Sequence, residues 1–163
     1  MLKTDRMILR APRAADLDAM FATYSDPRAM RYWSTLPHDD PSVTQNLLDR
    51  QIKDFTKAPL YFALEHDGQW IGNAGLYRDP EVGFMLSPDH WGQGLVREAM
   101  ETLIPHLFSH GLSHLTADVD PRNAGSIKGL LALGFHRTHE ARNTFLIGGK
   151  WFDSVYFRRD PAA

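Results

Sequence analysis

Residues 90–97 read His-Trp-Gly-Gln-Gly-Leu-Val-Arg, and the rest of the fold is organised around this stretch. It joins an apolar run at 81–86, typical of a strand, to an amphipathic run at 94–110, typical of a helix. Gly92 and Gly94 allow close approach to the backbone, and the first N–H groups of a helix have no intrahelical partner. The turn therefore predicts an anion site, although an ordinary strand-to-helix turn explains two glycines equally well. The third spaced glycine of a dinucleotide-binding turn is missing.

The segment after the turn is the clearest helix in the sequence. One apolar stripe runs along it, formed by Leu95, Val96, Ala99, Met100, Leu103, Ile104, Leu107 and Phe108. Pro105 lies inside the stripe and predicts a kink, because proline has no N–H to donate. Gly111 is placed to end the helix.

Further elements follow on both sides of this helix. Apolar runs and turn residues predict strands at 7–10, 60–64, 70–77, 81–86 and 114–119, then a strand region at 135–157 divided by Gly148-Gly149. Helical spacing predicts helices at 16–24, 41–55 and 126–133. The order is mixed α/β with antiparallel strands in the middle, and residues 1–163 are interpreted as one domain.

Composition narrows the classes of function. The chain has 163 residues, a formal net charge of -2 and no cysteine. The charge argues against a broad nucleic-acid-binding surface, and the lack of cysteine excludes disulfides, thiolate metal sites and a cysteine nucleophile. No run approaches the ~20 apolar residues of a membrane span, and the N-terminal residues lack a signal-type apolar run. We therefore expect a cytoplasmic protein that binds neither membrane nor nucleic acid directly.

The turn and its surroundings together resemble the GNAT superfamily of N-acetyltransferases, and within it the RimJ/RimL-type branch. The resemblance spans nearly the whole chain in order, through the segments 26–32, 81–88, 90–94, 123–126, 133–135 and 150–153. It implies an α/β (α+β) fold with a mixed, mostly antiparallel sheet of about seven strands and helices on both faces. Val96 departs from the superfamily pattern, which has Gly or Ala there, and Trp91 replaces its Gln or Arg.

The resemblance implies acetyl-CoA as co-substrate, with no metal. It assigns the pantetheine arm to the backbone of Phe84, Met85, Leu86 and Ser87, with a further contact from Asn123. It assigns the pyrophosphate to the turn formed by Trp91, Gly92, Gln93, Gly94, Leu95, Val96 and Arg97. If the Val96 methyls point toward that turn, they weaken binding of the cofactor.

The same resemblance implies direct attack of a primary amine on the thioester in a ternary complex. Many members place a tyrosine acid where this chain has Leu130, so Ser126 is the candidate acid near the sulfur. Both Ser126 and Asn123 are equally explained as residues that begin a helix. Glu81, which begins the strand beside the expected amine site, is the first candidate for the base, since partial burial would raise its pKa. An exposed glutamate at a strand edge is a somewhat better explanation for any single acidic residue. Asp118, on the strand before Asn123, is the second candidate.

Tyr32 and Trp33 are candidate contacts to the acceptor, because the N-terminal helices of this branch cap the substrate opening. Glu81 is a third candidate contact, because it lies beside the same site. The acceptor is left open between a protein N-terminus and a small amine. Two other functions also stay open: a non-catalytic acyl-CoA-binding module and a nucleotide- or phosphate-binding protein. A homodimer is compatible with the sequence, and nothing in it requires one. His106 and His110, four apart on the helix, are interpreted as surface residues rather than metal ligands.

Overall fold

One eight-stranded sheet runs through the molecule in the order β1-β2-β3-β4-β5-β6-β8-β7. The computed structural model describes residues 1–162. The strands are β1 (Leu2–Lys3), β2 (Ile8–Arg10), β3 (Tyr61–His66), β4 (Gln69–Arg78), β5 (Glu81–Leu86), β6 (Leu115–Val119), β7 (His136–Ile147) and β8 (Lys150–Arg159). The helices are α1 (Leu17–Tyr24), α2 (Pro27–Met30), α3 (Pro41–Lys57), α4 (Leu95–Ser109) and α5 (Ala124–Ala132).

All neighbouring strands pair antiparallel except β5 and β6, which are parallel. The predicted mixed, mostly antiparallel sheet is therefore confirmed. It has eight strands rather than about seven, because Leu2 pairs with Leu9 and adds a two-residue edge strand. A strand of two residues has no alternating pattern from which it could be predicted.

Helices cover both faces of the sheet, as predicted. Along β3, Phe62 and Leu64 enter one buried cluster while Ala63 enters another, because successive strand side chains point to opposite faces. The main core lies beneath α4 and α5 and includes Leu95, Met100, Leu103, Leu107 and Leu130. The second core lies beneath α1 to α3 and consists of Met20, Tyr24, Met30, Leu48, Ala63, Trp70 and Met85.

The helix α4 anchors the main core and places the glycine turn. It begins at Leu95, one residue later than predicted, and continues through Pro105 to Ser109. The helix is continuous across Pro105, and burial of its apolar stripe supports it there, at about 1.5–3 kcal/mol for each large side chain. Across residues 1–162, no helix combines the length and apolarity needed to cross a bilayer.

Candidate active site

A gap between β5 and β6 is the centre of the site. The two strands share a single register pair, Glu81 with Thr116, and the Thr116 N–H donates to the carbonyl of Pro80 at 2.9 Å. On its other side β5 pairs with β4 along its whole length. The sheet therefore opens into a V after Glu81, and one edge of β5 faces the opening.

The backbone of Phe84 and Leu86 faces this opening. The Ser87 N–H donates to the Ile71 carbonyl of β4 at 2.7 Å. Because backbone groups alternate in direction along a strand, those of Met85 also point to β4, while those of Phe84 and Leu86 point away from it. Residues 84–87 are predicted to contact the pantetheine arm, and two of these four residues thus present backbone hydrogen-bonding groups to the gap.

Trp91 links the end of β5 to the glycine turn. Its indole N–H donates to the Leu86 carbonyl at 3.0 Å, and the side chain is about half exposed. This bond satisfies one of the carbonyls at the gap and leaves the Leu86 N–H and both groups of Phe84 facing the opening. This contact could not be predicted from the sequence, because it depends on how the turn folds back over the strand.

The glycine turn presents backbone N–H groups toward open space. Gly92 and Gly94 have φ angles of 73° and 75°, a left-handed conformation that favours glycine. A Cβ at Gly92 would meet no atom within 4 Å. The first intrahelical bond of α4 runs from the Glu98 N–H to the Gly94 carbonyl, at 3.0 Å. The N–H groups of residues 95–97 come before it and have no partner within the helix.

Side chains of this first helical turn point away from those N–H groups. Leu95 is buried in the main core and Val96 packs against the same core. The Arg97 guanidinium pairs with Glu101, with 2.8 Å between Nε and Oε1. The turn is thus a cluster of backbone donors at a helix N-terminus, which is an arrangement that suits a phosphate.

Asn123 and Ser126 lie together at the start of α5. The Asn123 side-chain oxygen accepts from the Ser126 N–H at 3.1 Å, which makes Asn123 the N-cap of the helix. Ser126 is half-buried, and its hydroxyl is not used in this cap. Leu130, one turn later, is fully buried in the main core. Neither Asn123 nor Ser126 lines the acidic cavity described next.

A cavity of about 210 Å³ lies at the closed end of the V. It brings together the predicted acceptor residues Tyr32, Trp33 and Glu81 with the second candidate base, Asp118. Its remaining walls, which the sequence did not point to, include Tyr77, Arg78, Asp120, Phe145, Ile147, Phe152 and Asp153. Carboxylates and aromatic rings dominate this cavity, so it suits a cation. A second cavity of about 250 Å³ adjoins it and shares Trp33, Ser34 and Tyr77.

The β7–β8 hairpin supplies one wall of the cavity through a local irregularity. The register of the two strands shifts between Ala141 and Phe145. Asn143 has a φ of 54°, and its N–H donates to Asp153 Oδ1 at 2.9 Å. Beyond this irregularity Phe145 pairs with Phe152, and both rings form part of the cavity wall.

Glu81 and Asp118 differ in how they are held. Burial raises the pKa of Glu81 and the nearby charge of Asp118 adds to this, while Arg78, with 3.2 Å from its Nε to Glu81 Oε2, opposes it. Burial also raises the pKa of Asp118, against a lowering contribution from the Ser154 hydroxyl. Asp118 Oδ1 is buried, and no residue in the described part of the chain forms a hydrogen bond with it. Asp118 Oδ1 is thus an unsatisfied acceptor that is shielded from solvent.

Within the described residues 1–162, no three or more His, Asp or Glu side chains lie close enough together to hold a metal ion. The ring centroids of His106, on α4, and His110, the C-cap of that helix, lie 4.5 Å apart with the rings tilted by 59°. Their ring nitrogens lie near backbone carbonyls, of Pro59 for His106 and of His106 for His110. These contacts account for both side chains.

Known proteins resemble this chain over nearly its whole length. It is 29% identical to "Uncharacterized N-acetyltransferase p20" of Bacillus licheniformis, over 96% of this chain and 93% of the relative. It is 27% identical to the spermidine N(1)-acetyltransferase of Escherichia coli (strain K12), over 90% of this chain and 82% of the relative.

Solved structures share the fold. A GNAT-family acetyltransferase from Bacillus anthracis superposes with a TM-score of 0.85 at 19% identity, covering 98% of this chain and 97% of that one. The ribosomal-protein-S5-alanine acetyltransferase of Vibrio fischeri gives 0.80 at 24% identity, with coverage of 98% and 95%. The yncA protein of Salmonella typhimurium, solved with acetyl-CoA, gives 0.75 at 24% identity, with coverage of 98% of both chains.

The comparison with protein families agrees with the geometry of the gap and the turn. Residues 6–136 match the family described as "Acetyltransferase (GNAT) domain". The chain belongs to the GNAT family of N-acetyltransferases.

Proposed function

We propose that the protein transfers the acetyl group of acetyl-CoA to a primary amine, by direct attack within a ternary complex. The observation that carries this proposal is the single-pair junction of β5 and β6. The acidic cavity lies where the two strands meet, and the glycine turn lies where β5 ends and the opening is wide. A donor lying along the gap would thus have its phosphates at one end and its thioester near the acceptor.

The donor would be held mainly by backbone groups. The N–H groups from Gly92 to Arg97 would bind the pyrophosphate, with the dipole of α4 adding to the attraction. The free groups of Phe84 and Leu86 would pair with the amides of the pantetheine arm as an added strand pairs with a sheet edge. Val96 is partly buried and packs against the main core, which supports a placement of the pyrophosphate that its methyls do not obstruct.

Asp118 and Glu81 would prepare the amine for attack. An ammonium group has no lone pair, so one proton must leave it first, and a carboxylate with a raised pKa is better matched to that transfer. We assign Asp118 as the base that accepts this proton, because its Oδ1 has no hydrogen-bond partner. We assign Glu81, which is paired with Arg78, to binding and polarising the amine. The nitrogen lone pair then attacks the thioester carbon.

Ser126 would assist the leaving group. Collapse of the tetrahedral intermediate breaks the C–S bond, and the thiolate of CoA takes a proton from the Ser126 hydroxyl. The attacking nitrogen loses its surplus proton as it becomes an amide, and through water this proton restores the Ser126 hydroxyl. Asn123 fixes the start of α5 through its bond to the Ser126 N–H and so positions that hydroxyl.

The acceptor is a cationic amine, and we place the protein in the RimJ/RimL-type branch. Support comes from the ordered motifs of the sequence and from the similar fold of the ribosomal-protein-S5-alanine acetyltransferase. Because one relative is named as a spermidine N(1)-acetyltransferase, we include polyamines as well as N-terminal peptides among the acceptors to be tested. The second cavity, which adjoins the first at Trp33, gives room for the remainder of an elongated acceptor.

The test has two stages. Calorimetry with acetyl-CoA, CoA and ATP measures donor binding, and we expect saturation with the first two but not with ATP. Turnover is then followed by release of free thiol with peptides, polyamines and simple amines; the chain has no cysteine and so contributes no thiol background. Binding of acetyl-CoA without turnover on any acceptor would indicate a non-catalytic acyl-CoA-binding module, and failure to bind acetyl-CoA would refute the proposal.

A further inference from the structure

Arg122 lies in the loop between β6 and α5, within the sequence Asp120-Pro121-Arg122. Its Nη2 is 2.7 Å from Asp120 Oδ2 and its Nε is 3.0 Å from Asp120 Oδ1, a bidentate pair. The Arg122 N–H also donates to Asp120 Oδ1 at 2.9 Å. The guanidinium plane is therefore fixed by its own loop, although the side chain is exposed.

The same guanidinium contacts two aromatic rings that both line the acidic cavity. Its Cζ lies 4.9 Å from the centroid of Phe152, on the β7–β8 hairpin, and 5.4 Å from the centroid of Tyr32, beyond α2. Both distances are within the range of a cation–π contact. Tyr32 and Phe152 come from segments far apart in the chain, and Arg122 is the cation common to both.

The chain contains a second copy of this local arrangement, without the rings. Asp26-Pro27-Arg28 has the same sequence, and its Arg28 N–H donates to Asp26 Oδ1 at 2.8 Å. Arg28 Nη2 is 2.7 Å from Asp26 Oδ2, the distance found for Arg122 and Asp120. Salt bridging and turn formation thus occur at both sites, and the aromatic contacts distinguish Arg122.

We infer that Arg122 is a positioning residue that holds the two walls of the acceptor cavity together and so sets the affinity for the amine. The inference rests on the proposed function, because it treats this cavity as the acceptor site. A cation fixed against both rings keeps Tyr32 and Phe152 facing the space where the amine binds. Arg122 adjoins Asn123, so the same loop also links the cavity to the start of α5.

Positioning and simple charge neutralisation predict opposite results. If Arg122 only neutralised Asp120, its removal would free a carboxylate in the cavity and lower the KM for a cationic amine. If it holds the walls, its removal loosens both rings and raises that KM. The sign of the change in KM therefore decides between the two roles.

The experiment compares Arg122→Ala with Arg28→Ala in the full chain. We expect Arg122→Ala to raise the KM for the amine about 5- to 30-fold, the factor for two cation–π contacts at an exposed site. The kcat and the affinity for acetyl-CoA should change less than about twofold, and Arg28→Ala should change none of the three. Arg122→Lys should recover part of the loss, because an ammonium keeps the charge but not the planar fork.

A double-mutant cycle tests the contact itself. Phe152→Leu and Arg122→Ala should each raise the KM, and the double variant should raise it by less than the product of the two factors. An unchanged or lowered KM in Arg122→Ala, or factors that simply multiply, would overturn the inference.

Backbone hydrogen exchange separates failure of this inference from failure of the proposed function. Faster exchange in residues 31–36 and 145–153 of Arg122→Ala, and not of Arg28→Ala, is expected even if no acceptor is turned over. If wild type shows no turnover but this exchange difference appears, the proposed function fails while the structural role of Arg122 stands. No difference in exchange would refute that role.

Discussion

Replacing Asp118 by asparagine tests the base directly. Asparagine keeps the shape of the side chain but cannot accept the proton of the amine. A positioned general base contributes about 10²–10⁴-fold, which is about 2.7–5.4 kcal/mol of activation free energy at 1.36 kcal/mol per tenfold. We expect a loss near the lower limit, about 10²-fold in kcat/KM, because Glu81 lines the same cavity and also has a raised pKa.

The assay is thiol release measured against pH. In wild type, kcat/KM should rise as the base loses its proton, at a pH above the ordinary carboxyl value of 3.8, because burial raises the pKa of Asp118. Asp118→Asn should remove this rise or replace it with a weaker one due to Glu81. Glu81→Gln is the matched comparison, and we expect a smaller loss because Arg78 already holds that carboxylate.

Stability gives an independent measure of the same burial. The folded state holds the Asp118 proton more tightly than the unfolded chain does, so ionisation destabilises the fold as pH rises through the raised pKa. Asp118→Asn should therefore melt no lower than wild type at pH 7, and the difference between them should shrink below pH 3.8. A loss of activity below about threefold in Asp118→Asn, together with a much larger loss in Glu81→Gln, would refute the assignment.

Three further substitutions test the donor side of the site. Ser126→Ala should lower kcat by about 10²-fold, the lower limit for acid–base catalysis, with acetyl-CoA affinity unchanged by calorimetry; an unchanged kcat would remove Ser126 from the mechanism. Val96→Ala should lower the free energy of unfolding by about 1 kcal/mol in urea titrations, through lost packing in the core. It should not improve acetyl-CoA binding, and tighter binding would show that the Val96 methyls do obstruct the cofactor. Gly92→Ala should cost about 1–2 kcal/mol of stability, since alanine must adopt a positive φ there, and should also weaken acetyl-CoA binding; binding at full strength would argue against a pyrophosphate at this turn.

Local patterns predicted the parts of the site that depend on local structure. The apolar stripe of α4 and the two glycines before it are recognisable from spacing alone, and the structure places both as expected. Asn123 as the N-cap of α5 likewise follows from the residue type and is confirmed by its bond to Ser126.

The walls of the cavity could not be predicted in the same way. Phe145 pairs with Phe152 because β7 accommodates two extra residues around Asn143, and the spacing of residues along the strand gives no signal of such an insertion. The relative merits of Glu81 and Asp118 depend on a salt bridge to Arg78 and on an unpartnered oxygen, which are both tertiary contacts. From the sequence Glu81 is the first candidate, and these contacts are the reason for proposing Asp118 instead.

The single backbone pair between β5 and β6 also has a mechanical consequence. The sheet is divided into a five-stranded part, β1 to β5, and a three-stranded part, β6 to β8, and only Glu81 and Thr116 join them by register. A molecule bound along the gap would add hydrogen bonds where β5 and β6 form none with each other, and so would act as a ninth strand of the sheet. Acetyl-CoA would then stabilise the enzyme by RT ln(1 + [L]/Kd) and would join, by backbone bonds, two parts of the sheet that already share the main core. The bound substrate would thus bridge β5 and β6 during each catalytic cycle, and release of CoA would leave the two strands joined only at Glu81 and Thr116.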